Sequence, residues 1–239
     1  MPDKIPLRAI DAKRALKKIA DPEKAKVLRG FFKTGKGEYG AGDKFLGVVV
    51  PKIRTITQEF KNLSPEEVSK LLQSKYHEER LTALLILVLK FKSADEKGKR
   101  EIFNLYNRNI KQINNWDLVD LTAPNIIGEY LKKKDRLLLY KYAKSEDLWE
   151  RRIAIISTFT FIKDGDCEDT LKISEKLLKD KSDLIHKACG WMLREVGKRC
   201  GENIEEEFLQ KHHKTMPRTM LRYAIERLPE EKRQLYLKK

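Results

Sequence analysis

One helical phase recurs along this 239-residue chain. Arg80, Trp116, Arg152, Lys187 and Arg222 follow one another at separations of 36, 36, 35 and 35 residues, and mostly apolar or small residues come after each of them. A fixed period of this length is typical of stacked helix pairs, because two helices of about 12 to 15 residues with their turns fill it. The period therefore predicts an all-α fold of about five to six helix pairs.

Capping residues also predict where helices begin and end. Asp21 and Pro22 form a helix start that should run to Gly35, and Ser64 with Glu67 forms a capping box. Further helices are expected at 78–92, 96–109, 115–133, 136–144, 148–162, 168–179, 183–198, 204–214 and 217–228, and we find no convincing strand. The pattern favours a single domain, residues 1–239, folded as an α-solenoid of HEAT-like repeats with a glycine-rich loop near 33–47.

The charge balance favours a polyanionic partner. The chain has 51 Lys and Arg against 36 Asp and Glu, a net charge of +15 and a pI near 9.6. Nucleic acid is the first expectation and an anionic membrane surface the second. A chain that is merely basic is the alternative.

Four of the five recurring positions are basic: Arg80, Arg152, Lys187 and Arg222. One basic residue at the same phase of successive repeats predicts a stripe along one face of the solenoid. A concave face with such a stripe would suit a phosphate backbone. The alternative is a solvated edge of the helix layer.

Several other classes of site find no support. The cysteines lack C-x-x-C spacing and the histidines lack H-x-x-x-H or H-E-x-x-H spacing, so we expect reduced thiols, no metal and no cofactor. The residues concerned are Cys167, Cys189 and Cys200, and His77, His186, His212 and His213. No apolar run has membrane-spanning length and the N-terminus lacks a secretory h-region, which predicts a cytoplasmic protein, associated with the nucleoid when bound to DNA.

The stretch "NNWDLVD", residues 114–120, breaks the basic stripe. It puts Trp116 where its neighbours have Arg or Lys, and Asp120 one turn later on the same helix face. Lys187 and Trp191 share that spacing, and Arg194 follows three residues on. This face should therefore gather two indoles, one carboxylate and several cations, whereas Trp149 is assigned to the core.

A carboxylate facing DNA repels phosphate, so binding alone gives no reason for Asp120. It becomes useful if the substrate is cationic, as N3- and N7-alkylated purines are. Cleaving their glycosidic bond builds oxocarbenium character on the sugar, which a carboxylate stabilises while it orients or activates water. Indole faces attract cations by roughly 0.5–2 kcal/mol. Taken singly, an exposed or capping Asp and core tryptophans are the simpler interpretation.

The segments "NNWDLVD", "WERRIAI" and "KACGWMLRE" in this order and spacing resemble the AlkD-type DNA alkylation repair glycosylases, a family of HEAT-like-repeat proteins. The Gly-x-x-x-Pro-x-x-Arg pattern of Gly47, Pro51 and Arg54 is also similar to a family signature. The resemblance covers roughly residues 21–226.

This resemblance implies hydrolysis of the N-glycosidic bond of 3-alkyl and 7-alkylpurines in double-stranded DNA, without metal or covalent intermediate. It implies that Asp120 is catalytic, that Trp116 and Trp191 face the substrate, and that Arg152 is the active-site arginine. It also implies contact with the lesion-bearing backbone without base flipping. We expect Arg54, Arg80, Lys187, Arg194 and Arg222 to bind DNA.

Two stretches depart from the family pattern. Asn115 stands where some members carry another aromatic residue, and the glycine-rich stretch at 33–45 is longer than in compact members. Its "GKGEYG" fits G-x-G-x-x-G but follows a helix, so it is no dinucleotide site. A mobile basic loop that touches DNA through Lys36, Tyr39 or Lys44 is one interpretation, and a plain flexible connector is another.

The alternative function is a non-catalytic scaffold. HEAT-like repeat proteins often bind proteins, and a basic one could hold an acidic partner or nucleic acid without chemistry. The pair of Trp116 and Asp120 discriminates the two, because a scaffold has no need of it. The sequence gives no sign of an oligomer, so we expect a monomer.

Overall fold

The computed structural model describes residues 7–238 and divides into two compact units, Met1–Thr122 and Ala123–Lys239. The described residues form helices and no strand, which confirms the all-α prediction. The one isolated bridge recorded among them pairs Lys44 with Tyr76. None of the helices in this described part is long and apolar enough to cross a membrane.

The first unit is built around one buried helix. Its helices are α1 (Ala9–Lys18), α2 (Pro22–Phe31), α3 (Val50–Glu59), α4 (Pro65–Leu72), α5 (His77–Ser93), α6 (Glu96–Arg108), a 3-10 turn (Ile110–Gln112) and α7 (Trp116–Ala123), whose last residue belongs to the second unit. Helix α5 packs against α3 and α4, and its apolar run from Leu81 to Val88 is buried on all sides. A helix that is apolar all round belongs in a core.

The second unit begins with a π-helical turn (Pro124–Gly128) and continues with α8 (Glu129–Leu131), α9 (Leu137–Tyr142), α10 (Leu148–Ser157), α11 (Phe159–Ile162), α12 (Glu168–Lys176), α13 (Asp183–Arg199), α14 (Glu202–His212), α15 (Arg218–Ala224), a 3-10 turn (Ile225–Arg227) and α16 (Glu230–Leu237). Helix α13 packs against α10 on one side and α15 on the other. These three helices carry the recurring phase of the sequence.

Polar contacts inside each unit repeat with the sequence period. In the first unit, Gln73 Nε2 donates to Asn109 Oδ1, 36 residues later. In the second unit, the Thr160 hydroxyl donates to the Pro124 carbonyl, 36 residues earlier, and Lys211 pairs with Glu175 at the same separation. Neighbouring helix pairs are therefore joined in register within each unit.

The helix starts were predicted better than the ends. Asp21 and Ser64 accept hydrogen bonds from the backbone N–H groups of Lys24 and Glu67, as caps should. Helix α2 ends at Phe31, however, so the prediction that it runs to Gly35 is wrong. The sequence prediction also missed α1, α3 and α16. In α3, β-branched residues weaken the helical signal, and α1 and α16 are strongly charged.

Candidate active site

A buried polar network holds the N-terminal end of α7. His77, at the start of α5, lies between two carboxylates: Nδ1 is 3.2 Å from Asp43 Oδ2 and Nε2 is 2.8 Å from Asp117 Oδ2. Arg80 Nη2 donates to both oxygens of Asp43 at 2.8 Å. All four side chains are buried. The network therefore ties the glycine-rich loop, α5 and α7 together.

The charges of this network balance one another. Burial by itself lowers the pKa of His77, but the Asp117 carboxylate and the hydrogen bonds from both sides outweigh burial and raise it to about 9. Burial likewise favours a neutral Asp43, yet His77 and Arg80 bring its pKa below the ordinary value. At neutral pH His77 is an imidazolium that donates to two carboxylates.

Trp116 belongs to a cluster of aromatic rings, which we call the Phe32 cluster: Phe31, Phe32, Phe45, His77 and Trp116. Phe32 stacks on Trp116 at 5.3 Å between centroids and on Phe45 at 5.1 Å. Phe31 meets Trp116 edge to face at 5.8 Å and is 60% exposed. Such pairs are worth about 0.5–1.5 kcal/mol beyond the buried area. Phe32 therefore covers one face of the half-buried Trp116 indole, and the exposed Phe31 ring lies beside it.

The two carboxylates of α7 have different surroundings. Asp117 is buried; besides meeting His77, its Oδ1 accepts from the N–H of Leu118. Asp120, one turn further, is half-buried. The preceding Asn115 is fully buried, and its Oδ1 accepts from the N–H of Trp116. Asn115 and Asp117 therefore position the helix, and Asp120 is the carboxylate nearer the surface.

The glycine-rich loop is a structural part of this region. Asp43 and Phe45 are both buried, one in the polar network and one in the Phe32 cluster. Where the loop ends, Gly47 has a φ of +84° and donates its N–H to Glu78 Oε1 at 2.8 Å; a Cβ there would lie 2.0 Å from the Asp21 carbonyl oxygen. These contacts tie the last part of the loop, residues 43–47, to α5, whereas the two interpretations of "GKGEYG", a mobile basic loop or a plain connector, stay predictions.

Two of the four cations in the predicted basic stripe are buried instead. Arg80 is 2% exposed and Arg152 is 5% exposed. Arg80 Nε donates to the Gln112 carbonyl and Arg152 Nη1 to the Leu184 carbonyl, each 32 residues later. The arginine at the recurring position, Arg80 in one unit and Arg152 in the other, thus bonds one helix pair to the next. The prediction of an exposed stripe is therefore wrong at Arg80 and Arg152, because each guanidinium is buried and donates to a backbone carbonyl 32 residues later.

In the second unit, α13 presents Lys187, Trp191 and Arg194 on one face, at spacings of four and three residues. Trp191 is half-buried and lies 6.1 Å from the ring of Phe159. Lys187 pairs with Asp183 at 2.8 Å, and Arg194 pairs with Glu226 of the 3-10 turn after α15. These two cations are therefore already engaged by carboxylates.

Gly190 allows close contact between α13 and α15. A Cβ at this position would lie 2.4 Å from the Met220 carbonyl oxygen and 2.5 Å from the Tyr223 Cβ. Arg222, on α15, is exposed. The glycine of "KACGWMLRE" thus lets Arg222 and Trp191 sit on directly packed helices.

The remaining predicted DNA-binding residues, Arg54 and Lys44, are both exposed and both belong to the first unit. Arg54 lies on α3, one turn after Pro51. Lys44 has its backbone fixed, since its N–H donates to the Lys75 carbonyl and its carbonyl accepts from the N–H of His77. The Lys44 side chain therefore extends from a backbone position that is fixed.

Sequence reasoning missed the partners that support Trp116. The adjacent pair Phe31 and Phe32, just before the glycine-rich loop, is a signal that could have been used. No local signal links His77 to Asp43 or Asp117, because 34 and 40 residues separate them. Trp149 is buried, as predicted. Within residues 7–238 no three His, Cys, Asp or Glu side chains are grouped as metal ligands.

These features define an all-helical, strongly basic protein with an indole and a carboxylate one turn apart at a supported helix start. A family model described as "DNA alkylation repair enzyme" matches residues 12–228. That match covers most of the chain, and the protein therefore belongs to the DNA alkylation repair enzyme family.

A solved structure agrees at the level of the fold. The chain is similar to one titled "Predicted DNA alkylation repair enzyme from Enterococcus faecalis", with a TM-score of 0.70 and 16% sequence identity. The likeness covers 88% of this chain and 97% of that one. At this identity it concerns the fold alone. No curated protein matches this chain.

Proposed function

We propose that the protein is a DNA glycosylase that hydrolyses the N-glycosidic bond of cationic alkylated purines, of the 3-methyladenine and 7-methylguanine type, in duplex DNA. The observation that carries the proposal is that the two carboxylates of α7, Asp117 and Asp120, have different surroundings. His77 engages Asp117 in the interior, while Asp120 lies half-buried one turn from Trp116. Family membership supports DNA as the substrate.

The proposed chemistry assigns the central step to Asp120. The bond between C1′ and the base nitrogen breaks, and its electron pair neutralises the positive charge of the departing base. The Asp120 carboxylate stabilises the positive charge that develops on the sugar and takes a proton from the water that attacks C1′. No metal or covalent intermediate is required for this balance.

The indoles and the arginine receive supporting roles. Trp116 attracts the cationic nucleotide through its ring face, and for Trp191 we propose the substrate-facing role that the family resemblance implies. Trp116 suits this role because Phe32 stacks beneath it and fixes its orientation. For Arg152 we propose the active-site role that the family resemblance implies, a contact with the water or a phosphate. Its Nη1 is bonded to Leu184, which would hold the guanidinium plane in place for that contact.

For phosphate binding, we propose the exposed cations Lys44, Arg54 and Arg222, with Lys187 and Arg194 exchanging their carboxylate partners for DNA. We leave Arg80 out of this set because all three of its guanidinium nitrogens already donate to partners inside the first unit. We also infer that the helix pairs are HEAT-like repeats. The 36-residue contact register and the successive packing of α10, α13 and α15 support this inference.

The decisive experiment measures release of methylated bases from alkylated duplex DNA by the wild type and by Asp120→Asn under single-turnover conditions. The variant should bind DNA as the wild type does and release bases at least about 100-fold more slowly, since one acid–base group contributes about 10²–10⁴-fold. Glu101→Gln is the matched control, because it neutralises one exposed helical carboxylate on α6. Its rate should equal that of the wild type.

If neither protein releases base yet both bind DNA, Asp120 is not catalytic on these lesions. Bulky cationic adducts are then the next substrates to test. A protein that binds DNA and releases none of these bases would support the non-catalytic scaffold instead.

A further inference from the structure

A concave surface of the first unit lies outside the proposed chemistry, and only one of its cations, Lys44, is among the phosphate-binding residues proposed above. It is a cleft of about 690 Å³ between α2, the end of α1 and the glycine-rich loop. We call it the α2 cleft. Its charged and aromatic lining consists of Lys17, Arg29, Asp43, Lys44, Phe45 and Tyr76.

The α2 cleft carries positive charge that nearby carboxylates do not neutralise. Lys17, Arg29 and Lys44 are exposed, and no ion pair formed within residues 7–238 uses them. The carboxylate in the lining, Asp43, is buried and bonded to Arg80 and His77. Many other surface cations of the protein are paired, for example Lys70 with Glu67. Three cations outside any ion pair therefore surround one cleft and give it a positive potential.

The walls of the cleft are fixed by the fold. The Lys44 backbone is hydrogen-bonded on both sides to the segment that enters α5. The Arg29 carbonyl accepts two hydrogen bonds from Thr34, one from the hydroxyl and one from the backbone N–H. These bonds fix the end of α2 against the loop. Phe45 is buried beneath. The backbone positions of two of the three cations are therefore set before any ligand binds, which lowers the cost of binding.

The cleft also lies close to Trp116. Phe45 lines the cleft and stacks on Phe32 at 5.1 Å, and Phe32 stacks on Trp116 at 5.3 Å. Because two ring stackings join them, Phe45 lies no further from the indole than roughly the rise of three nucleotides along one strand of B-DNA at about 3.4 Å each. Lys44 adjoins Phe45 in the chain and Arg29 lies two residues before Phe31 on α2, so two of the three cations belong to the elements that support the indole.

We propose that the α2 cleft is a phosphate subsite that binds the DNA backbone a few nucleotides from the lesion, through Lys17, Arg29 and Lys44. The proposal rests on the proposed function only in placing the lesion at Trp116 and Asp120. Its ligand chemistry is the phosphodiester group. A free phosphate or a mononucleotide offers the same chemistry, so the test separates these sources.

The test compares two triple variants in binding of undamaged duplex DNA as a function of salt. One is Lys17→Gln, Arg29→Gln and Lys44→Gln. The matched control is Lys61→Gln, Lys97→Gln and Arg100→Gln, which removes the same charges from exposed positions elsewhere in the first unit. Each phosphate contact contributes about 0.9 to the slope of log K against log salt. The cleft variant should therefore lose about 2 to 3 from that slope, and the control should match the wild type.

Equal slopes for the cleft variant and the control would overturn the proposal. A second result would also overturn it: the cleft variant, and not the control, loses millimolar binding of inorganic phosphate or adenosine monophosphate, while its salt slope for DNA does not change. Release of methylated bases by the wild type is measured in parallel. Equal slopes with normal release would reject the subsite alone, whereas a lost slope without release would count against excision of these methylated bases and keep the subsite.

Discussion

At the scale of single residues, His77 links the stability of the protein to pH. Its pKa is about 9 in the folded protein and close to the ordinary 6.5 in the unfolded chain. The folded state therefore binds the proton more tightly. The stabilisation from this group is complete below pH 6.5, falls as the pH rises above it, and is lost once the pH passes about 9.

We predict that His77→Gln lowers the free energy of unfolding by about 3–5 kcal/mol at pH 6, because it leaves Asp43 and Asp117 buried without the cation between them. The decline of stability between pH 6.5 and 9 should also become shallower. Chemical denaturation at a series of pH values measures both effects. His213→Gln, a half-buried histidine bonded to the Leu209 carbonyl, is the control and should keep the wild-type pH dependence.

At the scale of elements, the contact between α13 and α15 depends on the absence of a side chain at Gly190. The atoms that a Cβ would meet belong to the backbone of Met220 and to the Tyr223 Cβ, and neither can rotate away. Gly30, near the end of α2, has open space around the same position. The two glycines therefore predict opposite responses to the same substitution.

Gly190→Ala should destabilise the protein by about 1–3 kcal/mol through overpacking, even though alanine is the better helix former. Gly30→Ala should leave stability unchanged or raise it by up to about 1 kcal/mol. Thermal unfolding of the two variants beside the wild type measures the difference. If Gly190→Ala were as stable as the wild type, the close approach of α13 to α15 would be wrong.

At the scale of the whole molecule, the net charge of +15 determines how the protein should meet DNA. Binding through phosphates releases counterions, so affinity should fall steeply with salt. For the five phosphate contacts of the proposed function, the affinity for undamaged duplex should drop by about 500-fold between 50 and 200 mM salt. Fluorescence anisotropy at several salt concentrations measures this slope. An affinity that does not change with salt would argue against a phosphate-binding surface.

The sequence by itself determined what depends on local pattern. The all-helical pattern, the caps at Asp21 and Ser64 and the burial of Trp149 all follow from neighbours a few residues away, and the fold confirms them. Each family motif is equally local, and the resemblance that the motifs carry agrees with the family model that matches residues 12–228. The helices that were missed are those whose residues carry a weak or conflicting local signal.

Only the tertiary structure decided which polar residues face inward. Asp117 and Asp120 look alike in the sequence, yet His77 takes one of them into the interior. Arg80 and Arg152 share a phase with exposed cations, yet backbone carbonyls 32 residues away hold them buried. The physical reason is that helix formation is local, whereas the partner of a buried charge comes from whichever distant segment the fold brings against it.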